Sequence, residues 1–253
     1  MSGLPSYADI ELAAARIAPY ARHTPVLNEP RLDAAIGATL WFKCEGLQHV
    51  GAFKFRGACN AVMSLSDRDA AAGVLTHSSG NHGAALGEAA RLRGIPAHIV
   101  VPEGANPVKL ANIRATGATL HACAPTLAAR EATAERIRAE TGASLIHPYE
   151  DYRVIAGQGT AARELLAHVP DLDLILVPLG AVVSRRVPVW PLRTWRRRVK
   201  SSRWSQHAPT TAKWVSGVAS GSNPGQSTRS AMVYGRCWVA PILRFFKAGA
   251  PGC

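Results

Sequence analysis

Apolar residues recur at helical spacing from Ile10 through Ala13, Ala14, Ile17, Ala18 and Ala21, behind a Ser6-Tyr7-Ala8-Asp9 stretch of capping-box form. This pattern predicts a helix over residues 7–21, with Thr24-Pro25 as its stop. Residues 39–44 (Thr-Leu-Trp-Phe-Lys-Cys) are short and rich in aromatic and large apolar residues, which predicts a strand; residues 57–65 read as a helix. Strand and helix then alternate: strands over 73–77, 97–101, 118–122 and 143–146, helices over 81–93, 107–115 and 126–140. Asn106 is a natural N-cap with Pro107 in the first helical position, and Gly94 and Gly117 follow helices where a left-handed residue is wanted. A second alternation places a helix over 157–167 and a buried strand over 172–178. Alternating elements with short links predict an α/β fold with two open, mostly parallel sheets flanked by helices, and binding sites at the carboxyl ends of the strands.

Composition changes this picture at one point. With 47% hydrophobic residues, the 253-residue chain can build a core, and no apolar stretch approaches transmembrane length. The first 20 residues contain Asp9 and Glu11 and lack a basic cluster followed by an apolar run, so no signal peptide is read and the expected location is the cytoplasm. Five scattered cysteines without a C-x-x-C pair point to reduced thiols, and no histidines show metal-ligand spacing, so no metal site is assigned. The net charge of +12 is confined to residues 181–253, which hold 13 of the 29 basic residues, none of the 17 acidic ones and five of the six tryptophans. The remainder is nearly neutral. Such a break marks a boundary, giving three segments: 1–72 plus 151–180 as an incomplete larger domain, 73–150 as a smaller α/β domain, and 181–253 as a basic tail.

Two stretches could carry chemistry. Lys54 lies between Phe53 and Phe55, just before Gly57-Ala58; partial withdrawal from water favours a neutral amine able to attack a carbonyl, although a lone lysine so placed is ordinarily a snorkelling side chain. The strand at 73–77 runs into His77-Ser78-Ser79-Gly80-Asn81-His82-Gly83, where a strand-to-helix turn presents free backbone N–H groups to an anion or polar ring, or is simply a capped helix start. His82 reads as structural.

Together, Phe53-Lys54-Phe55-Arg56-Gly57-Ala58 and Ser78-Ser79-Gly80-Asn81-His82-Gly83 resemble the pyridoxal-phosphate enzymes of the serine and threonine dehydratase and serine racemase family. Lys43-Cys44-Glu45, Val101-Pro102, His147-Pro148, Ile155-Ala156-Gly157-Gln158-Gly159-Thr160 and Val177-Pro178-Leu179-Gly180 follow in that family's order, and the match covers residues 1–180. The resemblance implies fold type II, pyridoxal 5'-phosphate as cofactor and Lys54 as the Schiff-base residue that shuttles the α-proton. It also implies that Asn81 binds the pyridine hydroxyl, that Phe53 packs beside the ring, that Ser79 works the opposite face, and that Gly180 opens a glycine loop for the phosphate. The implied reaction is an ammonia-lyase β-elimination from a small amino-acid substrate, threonine or serine, to a 2-oxo acid and ammonia, in a homo-oligomer. Serine racemisation and hydroxyaspartate ammonia-lyase activity are the alternatives within the class. Val50-Gly51-Ala52 departs from the family's Thr-Gly-Ser and loses a hydroxyl.

Where the family expects four glycines, this chain has Gly180 followed by Ala181-Val182-Val183-Ser184. Written in GC-rich codons and read one nucleotide earlier, those four residues become Gly-Gly-Gly-Leu, and the Arg196-Arg197-Arg198 run becomes alanines. A single-nucleotide frame error close to Gly180 is therefore expected, and with it little or no turnover by the chain as written. The competing reading is a nucleic-acid-binding tail, in which arginines meet phosphate and tryptophans stack on bases. Residues 201–229 show no sustained periodicity and no recognition motif, which weighs against it.

Overall fold

The computed structural model describes residues 5–179, 200–205 and 230–233. Two sheets form the frame. The smaller is parallel throughout and has the order β5-β4-β3-β6, from β3 (Val74–His77), β4 (Ala97–Pro102), β5 (Thr119–Cys123) and β6 (Ser144–Leu145). The larger has the order β1-β2-β9-β7-β8, from β1 (Val26–Asn28), β2 (Thr39–Lys43), β7 (Leu174–Leu179), β8 (Lys200–Ser205) and β9 (Ser230–Val233). Only the β1–β2 pair in it is antiparallel. The two strands from the basic tail join by backbone pairing, with Leu174 opposite both Lys200 and Ala231.

Among the described residues, eight α-helices pack on these sheets: α1 (Tyr7–Ile17), α2 (Pro30–Ile36), α3 (Lys54–Met63), α4 (Asp67–Ala71), α5 (Asn81–Arg93), α6 (Pro107–Arg114), α7 (Leu127–Thr141) and α8 (Tyr152–His168). Local signals account for their ends. Ser6 and Asp9 form the capping box of α1, with the Ser6 N–H donating to Asp9 Oδ2 at 2.7 Å. Asn106 Oδ1 accepts from the N–H groups of Val108 and Lys109, and Gly94 closes α5 at φ 71°.

Three boundaries differ from the pattern-based expectation by three residues or more. Helix α1 ends at Ile17 rather than at residue 21, because Pro19 has no N–H to continue the ladder. Helix α3 begins at Lys54, three residues before Gly57; the Phe55 and Arg56 N–H groups already bond Ala52 and Phe53 carbonyls, and both side chains are buried. Helix α8 begins at Tyr152, where the Asp151 carboxylate accepts from the Arg153 N–H at 2.8 Å.

The core runs without a break from α1 and α3 to α5, β3 and β4: Ile17, Phe55, Val62, Val74, Leu86, Ile99 and Val154 belong to one buried cluster. Helices α3 and α8 cross at backbone contact distance. A Cβ on Gly57 would lie 2.6 Å from the Val154 carbonyl oxygen, and one on Gly157 would lie 2.5 Å from the Arg56 carbonyl oxygen and 2.7 Å from the Gly57 Cα. Glycine is needed at both because the opposing atoms are backbone, which cannot move aside. Gly157→Ala is expected to lower stability by about 1–3 kcal/mol or more through overpacking, read as a lower denaturant midpoint at unchanged slope.

Candidate active site

Lys54 is the first residue of α3, so its side chain leaves the helix where backbone N–H groups have no intrahelical acceptor. Its Nζ donates to the Pro148 carbonyl at 3.4 Å and lies 5.5 Å from the centre of the Phe53 ring. Burial lowers the ammonium's pKa from 10.5 to about 8, while the side chain keeps a partial opening to solvent. A desolvated amine with a single weak acceptor is unprotonated about a tenth of the time at pH 7, against well under a thousandth for an ordinary lysine, and the neutral form attacks carbonyl carbon.

The second stretch sits at the carboxyl end of β3, where Ser78 to Gly80 turn into α5. Gly80 occupies the N-cap and so supplies no side-chain acceptor for the first N–H groups. A Cβ on Gly80 would meet nothing within 4 Å, leaving space over the helix start. Ser79 and Asn81 are half-buried, and neither side chain is hydrogen-bonded among the described residues. Close packing behind the turn holds it in place: a Cβ on Gly83 would lie 2.1 Å from the Ser78 carbonyl oxygen.

Of three neighbouring histidines, from β3, α5 and the segment after β6, His82 is the one that feels the Lys54 charge. The rings of His77 and His147 stand 5.1 Å apart, edge to face, and His147 Nδ1 accepts from the Glu150 N–H at 3.1 Å. His82 is buried with no hydrogen-bond partner on either ring nitrogen among the described residues. Burial, with the nearby Lys54 charge, lowers its pKa to about 3, so it stays neutral and leaves the positive charge to Lys54.

The start of α3 is tied down by a buried ion cluster. Arg56 is fully buried and forms two paired forks: Nε and Nη2 to Glu45 at 2.8 Å each, and Nη1 and Nη2 to Glu164 at 2.6 and 2.8 Å. Lys43 Nζ reaches the same Glu164 at 2.6 Å and the Thr24 carbonyl at 2.6 Å, and the Thr24 hydroxyl donates to Glu45. Burial opposes the Glu164 charge, but the Arg56 and Lys43 contacts outweigh it and hold that carboxyl below its ordinary range.

The structure thus brings Phe53, Lys54, Ser79 and Asn81 to neighbouring ends of α3 and α5, while Gly180 lies outside the described residues. Sequence reasoning missed the Pro148 carbonyl as the Lys54 partner and the joint role of Lys43, Glu45, Arg56 and Glu164. The signal for the latter was an arginine enclosed by Phe55 and Gly57 in an apolar stretch, which requires a buried anion.

A model of the family described as pyridoxal-phosphate dependent enzyme matches residues 17–182. The chain belongs to this family. It is similar to a serine racemase of Arabidopsis thaliana, 51% identical over 177 residues that make up 69% of this chain and 54% of that protein. A beta-hydroxyaspartate dehydratase of Paracoccus denitrificans is 48% identical over 177 residues, 70% of this chain and 56% of that protein. The chain therefore spans about half the length of the curated relatives it matches. Among solved structures, maize serine racemase superposes with a TM-score of 0.76 at 42% identity, covering 79% of this chain and 61% of that one. A T.th. threonine deaminase does so with a TM-score of 0.72 at 37% identity, covering 79% and 65%.

The family's enzymes depend on pyridoxal phosphate, and the residues present fit its reactive end: a half-covered amine of lowered pKa, an uncapped helix start and open space over Gly80. Among the described residues, no helix is long and apolar enough to cross a membrane.

The cost of burying the Lys54 charge is fully present below about pH 8 and disappears between about 8 and 10.5, as the folded-state amine loses its proton before the unfolded one does. Lys54→Met is expected to stabilise the cofactor-free chain at pH 7 by on the order of 1–2 kcal/mol. The gain should shrink toward pH 10.5 in denaturant titrations run across that range.

Proposed function

We propose that this chain carries the catalytic half of a pyridoxal-phosphate-dependent ammonia-lyase acting on a small β-hydroxy amino acid. In this reading Lys54 holds the cofactor, Phe53 flanks its ring, Asn81 bonds its hydroxyl and Gly180 begins the phosphate contact. The bound cofactor supplies an electron sink for charge developing at the substrate α-carbon. With the cofactor bound, Lys54 Nζ would take the α-proton of the substrate, and its lowered pKa suits that task near neutral pH. Departure of the β-hydroxyl as water, followed by hydrolysis, leaves a 2-oxo acid and ammonia. The Pro148 carbonyl accepts from the amine, and the neutral His82 lies near it without adding a second positive charge. The observation that carries the reading is the Lys54 amine: desolvated, half-open, and held beside an uncapped helix start.

A second reading is serine racemisation, in which the Ser79 hydroxyl returns the proton on the face opposite Lys54. What favours it is that this hydroxyl has no hydrogen-bond partner among the described residues, together with the likeness to serine racemases.

The proposal extends to the tail. The family match stops at residue 182, beside the point where glycines give way to Ala181-Val182-Val183-Ser184 and the composition turns basic. A single-nucleotide frame change near Gly180 accounts for these together, and a chain lacking the glycine loop holds its cofactor poorly. Resequencing across the junction tests the frame directly; finding no other downstream frame that encodes the relatives' sequence would remove it.

For activity, the chain as written and a frame-corrected version are each incubated with cofactor and with threonine, serine or hydroxyaspartate. The corrected chain is expected to form 2-oxo acid from at least one of them, Lys54→Ala none, and the chain as written little or none. D-serine formation exceeding 2-oxo acid would select the racemase reading, and turnover surviving in Lys54→Ala would overturn both. Cofactor uptake by the corrected chain, followed by its visible absorption, should speed up with rising pH to about 8 and then level off as the Lys54 amine becomes neutral.

A further inference from the structure

Away from Lys54, two histidines meet on neighbouring parallel strands. His98 is the second residue of β4 and His121 the third of β5, an edge strand. Alternation along each strand puts His98 on the face of Val100 and His121 on the face of Cys123, the side where α7 packs through Ala134 and Ile137. Both rings are half-buried; His98 Nδ1 stands 3.1 Å from His121 Nε2, with ring centres 5.3 Å apart and planes inclined by 37°. The charged groups acting on His121 from α7 are Arg136 and Glu140, paired with each other at 2.7 Å. Burial lowers the pKa of both histidines, so at neutral pH each ring offers one unprotonated nitrogen.

Two imidazole nitrogens that share one ion at bond lengths of about 2.0–2.1 Å must lie roughly 2.9–3.4 Å apart, between right-angled and tetrahedral geometry. The His98–His121 spacing falls in that range. We propose that these two side chains form a bidentate site for a divalent transition-metal ion of the zinc, nickel or copper class. Among the described residues no set of three or more His, Cys, Asp or Glu is placed to hold a metal, so water completes the coordination sphere. Binding exchanges one N–H···N hydrogen bond for two metal–nitrogen bonds. The donating ring moves its proton to its other nitrogen, both rings stay neutral, and no proton is released. The ion would clip the edge strand β5 to β4, and binding the folded chain alone would raise its stability.

The test uses the full folded chain, with only its accessible thiols blocked under native conditions, titrated with Ni²⁺ by calorimetry and by thermal unfolding. One Ni²⁺ per chain is expected at this site, bound at least tenfold more weakly in His98→Gln and in His121→Gln. The double variant should be no weaker than either single one, and His23→Gln, a change at an exposed histidine, should bind as the parent does. Ni²⁺ should raise the parent's midpoint and not that of the two variants. In the unsubstituted chain, Ni²⁺ should also protect His98 and His121 from diethyl pyrocarbonate, read by peptide mass spectrometry, a measurement that needs no variant to fold. Unchanged affinity in both single variants, or modification of the two rings unaffected by Ni²⁺, would overturn the proposal.

Discussion

A buried arginine sets the geometry on which the rest of the site depends. Arg56 cannot lose its charge and has no exposure to water, so it must be met by anions. Glu45 comes from the turn after β2 and Glu164 from the last turns of α8, and the two carboxylates clamp the guanidinium from different elements. Lys43 balances the second carboxylate, making the cluster two cations and two anions. Paired ions of this kind contribute little net stability relative to an apolar core, but losing one partner strands the others at a penalty of about 3–5 kcal/mol. Their value here is directional: they fix where α3 begins, two residues before Arg56, and hence where Lys54 leaves the helix.

The second constraint is close packing by glycine. Gly57 and Gly157 let α3 and α8 approach at backbone contact, which brings Glu164 within reach of Arg56. With α3 held on that side, Phe55 and its neighbours fill the core toward α5, and the start of α5 comes to lie beside Lys54. The desolvated amine, the neutral His82 and the uncapped turn at Gly80 are consequences of that arrangement. Val50 shows a local conflict next to it: a β-branched residue held at φ 53°.

What could be read from the chain depended on how local its cause was. Helix α5 was legible at both ends because Gly80 and Gly94 act within a turn of the residues they terminate. The short β1 and α2 carried too few residues to rise above loop composition, although Glu29 and Pro30 form a helix start in hindsight. Gly57 and Gly157 looked like helix openers because a glycine's packing role depends on a partner about a hundred residues away. The ion cluster was hidden for the same reason, since Arg56 and Glu164 are 108 positions apart. Lys54, Ser79 and Asn81 were singled out through family motifs, and what the structure added was the surroundings of Lys54: the Pro148 carbonyl, the buried neutral His82 and a lysine pKa near 8.

The most direct check on this account is the titration of the Lys54 amine itself in the cofactor-free chain. Competitive acetylation across pH, with the Lys54 peptide quantified by mass spectrometry, reads it without any assumption about substrate. The account predicts half-reaction at a pH of about 8, moving upward toward 10.5 when Arg56→Met releases the start of α3 and lets water reach the amine. A Lys54 that titrates near 10.5 in the unsubstituted chain would contradict it.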